Sequence, residues 1–284
     1  MKTWIRSSFL LSLAALVAVA GLACGGSDDN PAANTSSSPA GAQSAQGKIT
    51  VFAASSLTDS FNEIKAEFAK KNPNATIEFQ FAGSPALRTQ LEQGAKADIY
   101  ASADVANMTQ ALQSSLVQDA GKVFVRNSLV IITPKKNTAN ITRPLDLNKS
   151  GIKLVLAAPE VPVGNYARQS FALMDKDASY GATFSAAVLK NVVSNESNVK
   201  QVVTKVQLGE ADAGVVYGTD VTRDVQNDLN VIQIPNAHNV FAEYPIALTR
   251  SPRNSDVANA FIAYVTSSEG QAIMKKYGFQ SAGG

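Results

Sequence analysis

From Lys48 to the end of the chain, segments with the hydrophobic pattern of a strand alternate with segments of helical period. Short runs of β-branched and aromatic residues, the first at 48–53, predict buried strands. The segments between them space apolar residues three or four positions apart, as with Phe61, Ile64 and Phe68, and predict amphipathic helices. This alternation predicts an α/β fold with mainly parallel sheets. We expect further strands at 76–81, 98–101, 128–133, 153–157, 213–217, 231–234 and 244–249, and helices after Asp104 and Gly164 and at 199–208, 256–265 and 269–277.

The N-terminal residues carry a different pattern, a basic start followed by an apolar run at 9–20. This run is shorter than the roughly 20 residues that cross a bilayer, so it predicts an export signal at 1–23 and not a membrane span. The sequence Gly-Leu-Ala-Cys that ends at Cys24 resembles the lipobox of bacterial lipoproteins, which implies a lipid anchor on that cysteine. The alternative is an ordinary signal peptide cut nearby. The small and polar residues of 24–47 predict a disordered tether.

Composition excludes several classes of function. Without Lys2 and Arg6 of the signal, basic and acidic residues are equal at 23 each, so bulk charge does not favour nucleic acid. Cys24 is the one cysteine and His238 the one histidine, so we expect no cofactor and no directly ligated metal cation, and we place His238 in a surface loop. No serine lies in a Gly-x-Ser-x-Gly elbow and no Walker loop is present, so we expect no enzymatic activity.

Three predicted strand-to-helix junctions, at 53–56, 82–84 and 162–164, are rich in small or hydroxylated residues. Ligand sites of parallel sheets lie beyond the strand C-termini, where the next helix offers unpaired N–H groups and the positive end of its dipole. Such junctions favour anions. None of the three contains Arg or Lys. They fit a fully deprotonated tetrahedral ion, because that ion only accepts hydrogen bonds.

Seven short motifs occur in the order seen in molybdate-binding proteins of ABC transporters, and this resemblance covers 48–279. They include Val-Phe-Ala-Ala-Ser-Ser-Leu at 51–57 and Gly-Val-Val-Tyr-Gly-Thr-Asp at 214–220; the others lie at 81–84, 97–104, 127–130, 159–167 and 277–279. The resemblance implies a two-lobed fold like that of type II periplasmic binding proteins. Lobe 1 would comprise 48–126 plus 246–284, and lobe 2 would comprise 127–245. The segments 127–130 and 243–246 resemble the crossover strands of that family and would form the hinge.

In that family hydroxyls and backbone amides hold the oxyanion, and the resemblance assigns these roles to five residues. Ser56, Ser84 and Tyr217 would contribute hydroxyls, and Val163 and Val199 would contribute backbone amides. The implied function is that of an extracytoplasmic solute-binding component of an ABC importer with molybdate or tungstate as its ligand. The implied partners are the permease of the importer and, through the lipid anchor, the membrane. We expect a monomer.

Each of these residues also has a purely structural interpretation. Taken alone, Ser56 and Ser84 would be helix N-caps, and Tyr217 in a strand would be a half-buried packing residue. The alternative function is that of a binding protein of similar fold for another oxyanion, such as sulfate or phosphate. A ferric-ion binder would need more phenolate or imidazole ligands than one tyrosine, and a structural surface lipoprotein would bind no small anion.

Overall fold

The computed structural model describes residues 45–283, which contain two β-sheets flanked by helices. The strands are β1 (Gly47–Ala54), β2 (Ala75–Ala82), β3 (Ile99–Ala101), β4 (Lys122–Asn127), β5 (Leu129–Pro134), β6 (Leu154–Ala157), β7 (Val192–Glu196), β8 (Ala213–Tyr217), β9 (Leu229–Gln233), β10 (Ala242–Leu248) and β11 (Gln280–Ser281). The helices are α1 (Thr58–Lys71), α2 (Ser84–Glu92), α3 (Val105–Gln113), α4 (Pro162–Met174), α5 (Phe184–Lys190), α6 (Val199–Gln207), α7 (Ser255–Val265) and α8 (Ser268–Lys276). Shorter 3-10 turns lie at Ser55–Leu57, Pro144–Asn148 and Gly218–Asp220. The predicted signal peptide, Cys24 and residues 25–44 of the predicted tether lie outside the described residues.

Both sheets are mixed, which corrects the expectation of mainly parallel sheets. The first has the order β11-β4-β10-β3-β1-β2; β1 runs parallel to β2 and β3, and β10 runs antiparallel to β3 and β4. The second has the order β7-β6-β8-β5-β9; β6 runs parallel to β7 and β8, and β5 runs antiparallel to β8 and β9. A strand buried on both faces shows the same apolar run in either direction. The hydrophobic pattern therefore predicts burial correctly but carries no information about strand direction.

The chain passes between the two sheets twice within residues 45–283. β4 ends in the first sheet at Asn127 and β5 begins in the second at Leu129. The return lies between β9 of the second sheet and β10 of the first. The predicted boundary between residues 245 and 246 falls inside β10, which already pairs with β4 from Ala242 onward. The lobe limits 48–126 plus 246–284 and 127–245 stay a prediction.

The apolar face of α1 is buried and α3 begins after Asp104, as predicted, whereas α4 begins at Pro162 and not after Gly164. Phe61, Ile64 and Phe68 of α1 are all buried, and Phe61 and Phe68 each meet Phe261 of α7 edge to face. The side chain of Asp104 accepts a hydrogen bond from the N–H of Asn107 at 2.9 Å and caps α3. Every helix within residues 45–283 is too short or too polar to cross a bilayer.

Candidate functional site

The five residues assigned by resemblance line one cavity. Its volume is about 210 Å³, including the space that opens to solvent. No side chain of its lining carries a formal charge. The lining consists of Ala54, Ser55, Ser56, Ala82, Gly83, Ser84, Ala103, Val161, Pro162, Val163, Val199 and Tyr217. The structure thus brings the five residues together, and their role in binding stays a prediction.

Four helical starts border this cavity. The 3-10 turn Ser55–Leu57 follows β1, and α2 begins at Ser84 after β2. On the side of the second sheet, α4 begins at Pro162 after β6, and α6 begins at Val199 after β7. The first N–H groups of a helix have no partner inside the helix and lie at the positive end of its dipole. The cavity therefore suits an anion although no Arg or Lys lines it.

The two serine hydroxyls are held by other groups and do not cap their own helices. The Ser56 hydroxyl lies 3.0 Å from the hydroxyl of Tyr244, and no side chain caps the turn at 55–57, α1 or α2. Ser84 Oγ accepts a hydrogen bond from the N–H of Ala103 at 3.0 Å. The hydroxyl of Tyr100 donates to the carbonyl of Ser84 at 2.9 Å and fixes the backbone there. The N-cap interpretation therefore fails for both serines.

Tyr217 ends β8 with its phenol ring buried against Tyr244, with 5.8 Å between the ring centroids. Its hydroxyl is buried and has no hydrogen-bond partner in the part of the chain that the structure describes. Burial raises the pKa of this hydroxyl well above its ordinary value, so it keeps its proton. A buried donor without a partner costs about 1–3 kcal/mol, and a ligand oxygen in the cavity would remove that cost.

Val163 lies in the first turn of α4, which is held closely against the end of β6. A β-carbon on Gly164 would clash with the carbonyl oxygens of Ala157 and Ala158. The guanidinium of Arg168 donates to the carbonyls of Ala157 and Gly164 at 3.0 and 2.7 Å. No side chain caps this helix start. The N–H of Val163 is therefore both precisely positioned and without an intrahelical partner.

Val199 is the first residue of α6, and contacts on either side of it connect the two sheets. A β-carbon on Gly83, which precedes α2, would clash with the carbonyl oxygen of Ser197. The ammonium of Lys200 in α6 lies 2.8 Å from a carboxylate oxygen of Asp59 in α1 and 3.7 Å from one of Asp220. These contacts hold the second-sheet side of the cavity against the first-sheet side.

Asp220 is a buried carboxyl group that contacts the backbone of Tyr217. Its carboxylate is buried, and one of its oxygens has no hydrogen-bond partner among residues 45–283. Burial raises the pKa of Asp220 to about 6, and the nearby Lys200 opposes this shift. The other carboxylate oxygen accepts the backbone N–H of Tyr217 at 3.2 Å. Asp220 thus holds the backbone of the residue whose hydroxyl lacks a partner.

Sequence analysis missed three polar residues at or behind the cavity. Ser55 lines it and lies in the hydroxyl-rich junction 53–56. Tyr244 and Asn127 lie behind Ser56, and both belong to segments that the motifs had marked as crossover strands. His238 is half-buried and not a surface residue, because its imidazole lies 3.0 Å from Asp177 and packs on another ring.

Comparison with known proteins identifies the family and the fold. A family model described as bacterial extracellular solute-binding protein matches residues 49–280. The molybdate-binding protein ModA of Mycobacterium tuberculosis H37Rv is 36% identical over 277 residues, which cover 97% of this chain and 98% of that protein. The substrate binding domain of a putative molybdenum ABC transporter from Clostridium difficile has a TM-score of 0.61 and 26% identity, covering 83% of this chain and 99% of that one.

A second solved structure is similar in fold alone. The sulfate-binding protein SubI from Mycobacterium tuberculosis H37Rv has a TM-score of 0.75 and 14% identity, with 84% of this chain and 88% of that chain covered. The predicted fold class, a two-sheet α/β protein of the type II periplasmic-binding-protein kind, is confirmed. The extent of the family match shows that this chain belongs to the family of bacterial extracellular solute-binding proteins.

Proposed function

We propose that this protein is the extracytoplasmic binding component of an ABC importer and that it captures molybdate or tungstate in the cavity between its two sheets. The observation that carries the proposal is the set of hydrogen-bond donors in that cavity. Ser56, Ser84 and Tyr217 offer hydroxyls, and Val163 and Val199 offer backbone N–H groups at helix starts. The protein binds and releases its ligand without chemical change.

The state of each hydroxyl supports an acceptor ligand. Ser84 Oγ already accepts the N–H of Ala103, so its own hydrogen is free to point into the cavity. The Tyr217 hydroxyl has no partner among the described residues and keeps its proton. A fully deprotonated tetrahedral oxyanion accepts hydrogen bonds at every oxygen and donates none. Such an ion satisfies these donors without any charged side chain in the lining.

The choice of molybdate or tungstate among oxyanions comes from the relatives. The Mycobacterium tuberculosis protein that is 36% identical to this chain is a molybdate-binding protein. Molybdate and tungstate have nearly the same size and charge, so the same donors would hold either. Sulfate is the alternative that one observation favours, because the sulfate-binding protein SubI shares the fold with a TM-score of 0.75. Sulfate is the smaller ion, so titration separates it from molybdate.

The location and partners follow from the same proposal. Cys24, after the export signal, would carry a lipid anchor, and residues 25–47 would connect the anchor to the folded part. The globular part would act as a monomer that moves its ligand to the permease. The two lobes would close on the ligand about the crossovers at β4–β5 and β9–β10.

Calorimetric titration of the purified protein with molybdate, tungstate, sulfate and phosphate in one buffer tests the proposal. We expect one-to-one binding of molybdate and tungstate, with sulfate and phosphate at least about 100-fold weaker, a difference of about 2.7 kcal/mol. Tighter binding of sulfate or phosphate would support the alternative ligand. No binding of any of the four oxyanions would refute the proposed site.

A further inference from the structure

Behind Ser56, a buried hydrogen-bond chain connects the cavity to the crossover strands. Tyr244 of β10 is fully buried, and its hydroxyl lies 3.0 Å from Ser56 Oγ. Asn127 at the end of β4 is also buried, and its Nδ2 lies 3.4 Å from the same hydroxyl. Neither Tyr244 nor Asn127 lines the cavity. Any effect of the two residues on a ligand must therefore pass through Ser56 or through the packing.

The orientation of the Asn127 amide sets the direction of the chain. Asn127 Oδ1 accepts the backbone N–H of Ser128 at 3.0 Å, so the nitrogen faces the other way. Asn127 Nδ2 then donates to Thr219 Oγ1 at 2.7 Å and to the hydroxyl of Tyr244. An amide nitrogen donates and does not accept. Towards Tyr244, Asn127 can only be a donor.

The Tyr244 hydroxyl must in turn donate to Ser56. It accepts from Asn127, and Ser56 Oγ is the acceptor within hydrogen-bond distance that residues 45–283 provide for its own hydrogen. The opposite direction would leave the hydrogen of a fully buried phenol without an acceptor, at a cost that folded proteins avoid. Since Ser56 Oγ receives this bond, the Ser56 hydrogen is free to point into the cavity that Ser56 lines.

The Ser84 hydroxyl also accepts one hydrogen bond from the protein, but from a backbone group and not from a side chain. A backbone N–H, that of Ala103, occupies the acceptor side of its oxygen at 3.0 Å. The oxygens of Ser56 and Ser84, on the first-sheet side of the cavity, thus each accept one hydrogen bond from the protein. Both hydroxyl hydrogens are then free to donate to a ligand.

We infer that Tyr244 and Asn127 are positioning residues that turn the Ser56 hydrogen towards the cavity and so fix Ser56 as a hydrogen-bond donor to the ligand. The inference rests on the proposed function, because it concerns the same cavity.

The test is a double-mutant cycle between Ser56 and Tyr244. Tyr244→Phe keeps the ring that packs on Tyr217 and Phe279 but removes the donor to Ser56. We expect it to weaken molybdate binding by about 2- to 10-fold, as for one neutral hydrogen bond. In the Ser56→Ala background the same change should have no further effect, because Tyr244 acts through Ser56.

A second measurement separates positioning from general damage. Ser84 receives its donor from Ala103 and not from Tyr244, so Tyr244→Phe should cost the same affinity for molybdate in a Ser84→Ala background as in wild type. A purely structural role would give the two serines the same coupling to Tyr244. If Tyr244→Phe fails to fold, Asn127→Asp provides a second variant, because the new carboxylate accepts the phenol hydrogen and reverses the chain; the same fall in molybdate affinity is expected.

The outcomes distinguish the two proposals. If wild type binds none of the four oxyanions, the proposed function fails. If wild type binds molybdate but Tyr244→Phe costs the same in the wild-type and Ser56→Ala backgrounds, the positioning role of Tyr244 and Asn127 is overturned and the proposed function stands.

Discussion

Tyr217 and Tyr244 meet edge to face with their ring centroids 5.8 Å apart, and of these two hydroxyls only that of Tyr244 has a hydrogen-bond partner among residues 45–283. Both rings are buried and pack on each other, so burial does not explain the difference. Tyr217, whose hydroxyl has no partner among the described residues, lines the cavity, and Tyr244 lies behind it. Replacing either tyrosine with phenylalanine keeps the packing and isolates the hydrogen bonding.

Tyr217→Phe should weaken molybdate binding by about 10- to 100-fold, because a hydrogen bond to a charged group contributes about 1.5–3 kcal/mol. The melting temperature of the ligand-free protein should stay the same or rise slightly, since the change removes a buried hydroxyl without a partner. Ser56→Ala should cost a similar loss of affinity. Calorimetric titration of both variants and wild type in one buffer measures these effects.

Tyr277→Phe is the matched control for that experiment. Its hydroxyl donates to Glu63 at 2.8 Å and does not line the cavity, so its loss should leave molybdate binding unchanged. Equal dissociation constants for wild type and Tyr217→Phe would mean that Tyr217 only packs.

Much of the fold follows from the sequence pattern, because long periodic segments carry strong signals. The predicted strand at 213–217 matches β8, and the predicted helix at 256–265 lies within α7. The pattern missed β7, whose residues alternate in exposure, and α5, which has seven residues and two buried side chains. Strand direction was also missed, since it depends on connections and not on local composition.

The sequence predicts the cavity less well than it predicts the fold. Local reasoning favours Ser56 as an N-cap, and only the order of the motifs points to a ligand. The partner of Ser56, Tyr244, lies 188 residues away along the chain, and Asn127 lies 117 residues from Tyr244. No periodicity or spacing predicts hydrogen bonds of this range, because tertiary packing alone brings such residues together.

Cys24→Ser should release the protein from the membrane fraction, because the serine cannot receive the lipid that a lipobox-like signal directs to the cysteine. Fractionation of cells producing wild type or the variant, followed by immunoblotting, measures the distribution. Molybdate binding by the released protein should be unchanged, since the cavity lies within the folded part. A wild-type protein found in the soluble fraction would contradict the anchor.

Asp220→Asn should change how stability depends on pH. Burial raises the pKa of Asp220 from 3.8 to about 6, so the folded chain holds this proton more firmly than the unfolded chain. Stability from this group is therefore present at about pH 4 and is lost as the pH rises through about 6. The shift of about two units corresponds to roughly 3 kcal/mol.

Denaturant unfolding of wild type and Asp220→Asn from pH 4 to pH 7 measures this loss. The free energy of unfolding of wild type should fall relative to the variant by up to about 3 kcal/mol over that range. The difference between the two proteins cancels groups that both retain, such as Asp104, whose pKa burial also raises. If the free energies of unfolding of wild type and Asp220→Asn change with pH in parallel, Asp220 titrates normally in the folded chain.

Gly83→Ala should weaken molybdate binding and leave the ligand-free protein stable. The backbone of Gly83 has φ −63° and ψ 141°, which alanine adopts freely, so the effect is steric. The added β-carbon meets the carbonyl oxygen of Ser197 on the second-sheet side of the cavity. Overpacking costs about 1–3 kcal/mol, which predicts a loss of affinity of roughly 5- to 100-fold if the two sides separate without ligand.

Gly164→Ala is the matched control, because its β-carbon would clash with the carbonyls of Ala157 and Ala158 on the same side of the cavity. No separation of the two sides relieves that clash, so this variant should lower the melting temperature of the ligand-free protein as well as the affinity. Thermal melts without ligand and titrations with molybdate compare the two glycines. If Gly83→Ala lowers the ligand-free melting temperature as much as Gly164→Ala does, the cavity is already closed before the ligand arrives, and the hinge between the lobes has no part in binding.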